Sequence, residues 1–185
     1  MRDLLVIGYG NELRGDDGVG PRVARSVAAL APPGVQAVAA HQLTPEMADL
    51  VRGADAVVFV DAHVDAAAVE VRDITPGRVN PSLGHTSDPR WLMSLTLAVY
   101  GHAAQAWLVT IPATDLGMGE RLSEEAARGM AEALRRVLAL LEALRRPASV
   151  PVSLAPDYRR RGRIIPDAPL SSTVGDANVY RISGK

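Results

Sequence analysis

Cysteine is absent from the 185-residue chain. That absence removes disulfide scaffolds, cysteine-ligated zinc, iron–sulfur clusters and cysteine proteases together. Any catalytic metal must then rely on histidine and carboxylates. Net charge is missing as a signal too: 20 Lys and Arg against 21 Asp and Glu leave −1. There is no basic footprint for nucleic acid and no polybasic surface for anionic lipid. No apolar run approaches the roughly 20 residues of a membrane span. Asp3 and Gly8 break the N-terminal apolar run well short of a secretory h-region, so a cytoplasmic, soluble protein is expected. No Gly-x-Ser-x-Gly elbow is present and no serine stands in a recognisable triad setting, which leaves a serine hydrolase unsupported. The remaining composition, 48 % hydrophobic and 22 % charged, is that of an ordinary globular domain large enough to build a core without staples.

The most informative stretch runs from Gly8 to Gly20: Gly-Tyr-Gly-Asn-Glu-Leu-Arg-Gly-Asp-Asp-Gly-Val-Gly. It follows the apolar Leu4-Leu5-Val6-Ile7 and leads into a helical pattern, so it reads as a strand–loop–helix junction. A dinucleotide fingerprint would need a third glycine where Leu13 stands, and a P-loop would need Gly-Lys where Gly15 is followed by Asp16. Phosphate is a poor guest beside Asp16 and Asp17, because like charges repel and no lysine is at hand. One of the two aspartates is expected to cap the helix that starts near Val19, with Asp16 the favoured cap and a supporting base as its other reading.

Further along, the periodicity predicts alternating strands and helices. Strands are expected at 3–8, Val35–Ala39, Ala56–Val60, Val69–Ile74 (an edge strand) and Ala104–Ile111. Helices are expected at Val19–Leu30, from Thr44 (N-cap) and Pro45 to Gly53, from Asp88-Pro89 to about Tyr100, and from Ser123 to about Arg146. The last helix is given an apolar face of Met130, Leu134, Val137, Leu138, Leu141 and Leu144. Such alternation implies a mostly parallel α/β sheet. From Pro147 the pattern stops, and residues 147–185 read as a poorly ordered tail whose Arg159-Arg160-Arg161 run is a solvated charge cluster. The domain proper is therefore 1–146.

Parallel sheets collect ligands at the carboxyl ends of their strands. Two carboxylates are expected there, Asp17 in the loop after the first strand and Asp61 at the end of the Ala-Val-Val-Phe-Val run. A charge placed against such a run needs a partner, since desolvating a lone carboxylate is costly. A backbone-bonded, purely structural Asp61 is the plainer alternative. Of the four histidines, His41 has no evident carboxylate neighbour and His102 follows a helix C-terminus, where the dipole alone favours a cation. His63 lies two residues beyond Asp61, and His85 sits in the loop before the Asp88-Pro89 helix start.

The N-terminal pattern resembles the Gly-x-Gly-Asn-x-Leu-x-x-Asp-Asp/Glu-x-x-Gly opening of the hydrogenase maturation endopeptidases, with Gly8, Gly10, Asn11, Leu13, Asp16, Asp17 and Gly20 in register. The resemblance extends over about residues 1–145. It implies a three-layer α/β/α sandwich around a mostly parallel, twisted five-stranded sheet. It also implies an endopeptidase that removes the C-terminal extension of a nickel–iron hydrogenase large-subunit precursor after nickel insertion. In that family the residues matching Asp17, Asp61 and His85 form the metal site, with His63 the alternative third ligand here. The metal is divalent, nickel carried by the substrate in that picture, and no organic cofactor is implied. A non-enzymatic adaptor that binds a metal-loaded partner is the competing reading from a different class.

Overall fold

The structure is a computed structural model and describes residues 2–77 and 88–145. The expected tail at 147–185 and most of the expected 75–87 loop, His85 included, lie outside the described residues. Five strands form one sheet: β1 (Leu4–Tyr9), β2 (Val35–Ala40), β3 (Ala56–His63), β4 (Glu70–Ile74) and β5 (Gln105–Pro112). Their order is β2-β1-β3-β5-β4, parallel throughout except for the antiparallel edge strand β4. Four α-helices accompany them, α1 (Val19–Leu30), α2 (Ala48–Gly53), α3 (Pro89–Tyr100) and α4 (Glu124–Arg145). Two hydrophobic clusters, one on each face of the sheet, make this the expected three-layer sandwich.

The uninterrupted apolar strands follow from those two clusters. Leu4 and Val6 join α1 and α4 residues on one face, while Leu5, Ile7 and Tyr9 join α2 and α3 residues on the other. Strands covered on both sides lose the polar alternation of a half-exposed sheet. Phe59, the sole phenylalanine, is fully buried in the second cluster.

Several helix ends are where the residue types place them. Asp88 caps α3 by accepting from the Arg90 amide at 2.8 Å, Pro89 takes the first turn, and Gly101 closes the helix at φ 75°. Ser123 accepts the Ala126 amide at 3.0 Å in front of α4. Other details differ. Thr44 makes no side-chain cap, and the segment after it begins as a 3₁₀ turn, Pro45–Met47, before α2. The buried stripe of α4 is Ala126, Gly129, Ala133, Val137 and Leu141. The expected Met130, Leu134 and Leu144 only flank it. Small residues set that stripe because α4 packs close to β5: a Cβ on Gly129 would sit 2.8 Å from Ile111 Cγ2.

The same close packing decides the N-terminal motif. A Cβ on Gly20 would lie 2.5 Å from the Val60 carbonyl oxygen and 2.6 Å from that of Tyr9. The first turn of α1 therefore presses onto the ends of β1 and β3. Gly20→Ala is expected to destabilise the protein by roughly 1–3 kcal/mol through overpacking. Gly53→Ala, at a position with open space around it, should be neutral or stabilise by up to about 1 kcal/mol. Urea unfolding of the two variants checks the contrast.

Candidate active site

Strand order reverses direction beside β1: the chain goes from β1 outward to β2, then crosses back over to β3. Such a switch point leaves a crevice at the carboxyl ends of the diverging strands. The loop after β1 delivers Asp17 there, and β3 delivers Asp61.

Asp17 lies in a 3₁₀ turn, Gly15–Gly18, and its Oδ2 accepts the Asn11 amide at 2.8 Å. That fold-back needs Gly10, whose φ of +138° and whose position, with an added Cβ 1.9 Å from the Asp17 carbonyl, leave no room for a side chain. Asp61 does not terminate β3, contrary to the expectation from its charge. The strand continues to His63, because β5 runs alongside and pairs Asp61 with Thr110 and His63 with Pro112. Asp61 lies one residue past the last paired position of β1 and β3, Gly8↔Val60, is half-buried, and its carboxylate accepts from the Tyr9 hydroxyl.

Burial raises the Asp61 carboxyl to about 6 and the nearby Asp17 carboxylate adds to the rise; a hydrogen bond from the Tyr9 phenol, the Ala62 amide and the His63 ring act the other way. The Tyr9 hydroxyl is itself pushed well above its ordinary value by burial and by Asp61. It therefore stays a proton donor to the carboxylate. Among the described residues neither Asp17 nor Asp61 has an Arg, Lys or His ion-pair partner.

Asp16 does not act as the expected cap. The residue in front of α1 is Gly18, and no side chain caps that helix. Asp16 is fully buried. Its carboxylate reaches across to the loop between β5 and α4 and accepts from the amides of Thr114 (2.8 Å), Asp115 (2.9 Å) and Ser123 (2.7 Å) and from the Ser123 hydroxyl (2.8 Å). Burial raises its pKa, but these four donors together outweigh burial and leave it below the ordinary carboxylate value. The two loops are laced further by Gly15 N–H to the Gly119 carbonyl at 2.7 Å and Gly119 N–H to the Leu13 carbonyl at 2.9 Å. Nothing in the one-dimensional pattern signals this partnership, which spans some hundred residues.

The histidines separate by their surroundings. His63 Nδ1 accepts the Asp65 amide at 3.2 Å. An amide only donates, so the neutral ring carries its proton on Nε2 and offers no lone pair there to a metal. His102 faces the carbonyls of Tyr100 and Arg52, at the far end of α3. His41 lines a separate cleft beside β2. No three metal-ligating side chains converge among the described residues. Tyr9, Asp61, His63, Asp88 and Arg90 line one cleft of about 290 Å³. Sequence reasoning missed Tyr9, whose hydroxyl meets Asp61 only because β1 and β3 run side by side.

The doubly wound sheet with an antiparallel edge strand is the fold of the hydrogenase maturation proteases. No family model matches the sequence, and no curated protein matches it. Solved structures do. The nickel–iron hydrogenase maturation protease HycI from Thermococcus kodakarensis KOD1 superposes with a TM-score of 0.61 at 22 % identity, covering 76 % of this chain and 93 % of that one. The hydrogenase maturating endopeptidase HybD from E. coli gives 0.63 at 21 % identity over 78 % and 94 %. The hydrogenase 2 maturation peptidase from Thaumarchaeota archaeon SCGC_AB-539-E09 gives 0.57 at 22 % identity over 76 % and 98 %.

Two stability measurements probe the site. Asp16→Asn is expected to cost on the order of 3 kcal/mol, because it replaces a buried charge that organises four donors. The stabilisation from Asp16 is present above the unfolded carboxyl value near 3.8 and is lost as pH falls through the lower folded value. Asp61 has the opposite sign. Its folded pKa is raised, so its ionisation opposes folding as pH climbs from about 4 to above 6. Asp61→Asn should therefore gain stability relative to the wild type across that interval, read from urea midpoints at pH 4 and 7.5.

Proposed function

We propose that this protein is an endopeptidase that removes the C-terminal extension of a nickel–iron hydrogenase large-subunit precursor once nickel has been inserted. The observation that carries this reading is the pair Asp17 and Asp61. Two neighbouring carboxylates, neither in an ion pair among the described residues although His63, Arg72 and Arg90 line the cleft around Asp61, form a site that a divalent cation relieves. The fold shared with the maturation proteases fits the same reading.

His85 is the proposed third ligand. Asp88 lines the same cleft as Asp61. His85 lies outside the described residues, three positions before Asp88 in the sequence. His63 is the weaker alternative, because its Nδ1 is already occupied by the Asp65 amide. Three protein ligands leave positions open on a divalent ion, as an exchangeable or catalytic site requires. In this reading the nickel belongs to the precursor, and the side chains recognise it, so that only a metal-loaded chain is engaged. An ion held by these residues would supply polarisation of the scissile carbonyl or a lowered pKa of bound water. Among the described residues no helix is long and apolar enough to cross a membrane, and a cytoplasmic site of action is part of the proposal.

The test is cleavage of a nickel-loaded large-subunit precursor, followed by mass spectrometry of its C-terminus. The wild type is expected to release the extension, and Asp17→Asn, Asp61→Asn and His85→Ala are each expected to lose processing by at least a hundredfold while remaining folded, on the order of what removal of an essential catalytic group costs. Wild-type protein that binds the loaded precursor without shortening it would instead identify an adaptor. Full processing by Asp61→Asn would remove the proposed site.

A further inference from the structure

Strand β2 ends the sheet on the side of the acidic pair, and its outer backbone faces away from every other described strand. Two hydrogen bonds set the parity: Leu4 N–H to the Gly34 carbonyl at 2.9 Å, and Gly10 N–H to the Ala40 carbonyl at 3.1 Å. With the parallel register running from Leu4↔Val35 to Tyr9↔Ala40, Gln36, Val38 and Ala40 direct their amides and carbonyls at β1. Those of Ala37 and Ala39 point outward. Native sheets usually guard such an edge with charge, proline or a bulge. The β2 sequence, Val-Gln-Ala-Val-Ala-Ala, has no charge and no proline.

A cleft of about 550 Å³ opens at the carboxyl end of this strand, lined by Ala39, His41, Asn11, Leu13 and Arg22 among others. It leads from the open edge to the loop that carries the first carboxylate, since the Asn11 amide is the one bound to Asp17. Leu13, 57 % exposed on its wall, offers apolar purchase to a passing side chain.

We propose that the β2 edge and this cleft are the docking track for the precursor's C-terminal segment. The segment adds to the sheet as an extended strand through Ala37 and Ala39, then passes over Asn11 and Leu13 toward Asp17 and Asp61. This rests on the peptidase reading. A peptidase substrate must present its scissile amide out of helix or sheet, and backbone pairing at a sheet edge recognises extended chain independently of its side chains. The geometry sets the spacing. A strand added outside β2 lies three strand separations, about 14 Å, from β3. Four or five extended residues cover that distance. Grip and cut are thus several residues apart.

Amide hydrogen exchange on the full chain, with and without saturating nickel-loaded precursor, tests the track. The Ala37 and Ala39 amides are expected to slow by at least tenfold on addition of precursor, the effect of one new hydrogen bond each, while Gln36 and Val38 stay as they are. Ala39→Pro, which removes an outward amide at an edge position, should raise KM about tenfold with kcat and the urea midpoint unchanged. Unchanged exchange at Ala37 and Ala39 under saturation overturns the proposal. So does protection that appears without precursor and grows with protein concentration, which would make a second copy the occupant. Precursor that protects β2 but is not cut would sink the peptidase reading and leave the docking intact. Cleavage without protection, and at full rate in Ala39→Pro, would do the reverse.

Discussion

Everything at the carboxyl rim of this sheet depends on one buried charge. Asp16 brings no positive partner with it into the interior; it is held by three backbone amides and a hydroxyl from the far side of the fold. An ionised carboxylate taken out of water is tolerated on such terms only when its lone pairs are filled. The bonds run from the β1–α1 loop to the β5–α4 loop, so the two loops behave as one body. Asp17, the next residue, inherits its place from that body. The adjacent aspartates thus play separate parts. One is satisfied and ionised, and the other accepts the Asn11 amide near Asp61, whose carboxyl it helps to raise.

Asp61 shows the opposite balance. Its carboxyl is raised by burial and by Asp17, and only the Tyr9 phenol, one amide and His63 restrain it. A fold optimised for stability alone would place a neutral residue there. That imbalance, in a cleft at a topological switch point, is what the proposed cation site builds on. Asp16 stabilises the scaffold against which that imbalance is held.

Much of this was legible in the sequence, for identifiable reasons. Helix α1 runs from Val19 to Leu30 as the Val19, Val23 and Val27 spacing predicts, and α3 begins and ends at the cap residues Asp88 and Gly101. Local chemistry suffices for these. The sheet positions of Asp17 and Asp61 were also readable, because parallel strands send their carboxyl ends to one side. What failed was non-local. The β3 strand outlasts Asp61 because β5 runs beside it. The face of α4 shifts to alanine and glycine because the helix sits close to Ile111. The partners of Asp16 lie about a hundred residues away, so a local cap was the natural reading and the wrong one. The hydrogen bond from Tyr9 to Asp61 arises only because β1 and β3, distant in sequence, are neighbours in the sheet.

The account stands on a divalent cation being held between Asp17 and Asp61. Anomalous diffraction from crystals of the full chain soaked in nickel, collected across the metal's absorption edge, tests this most directly. A single strong peak within coordinating distance of both carboxylates, with His85 as a third ligand, is the expected result. A saturating soak that leaves the space between the two aspartates empty, or that puts the metal elsewhere in the molecule, would contradict it.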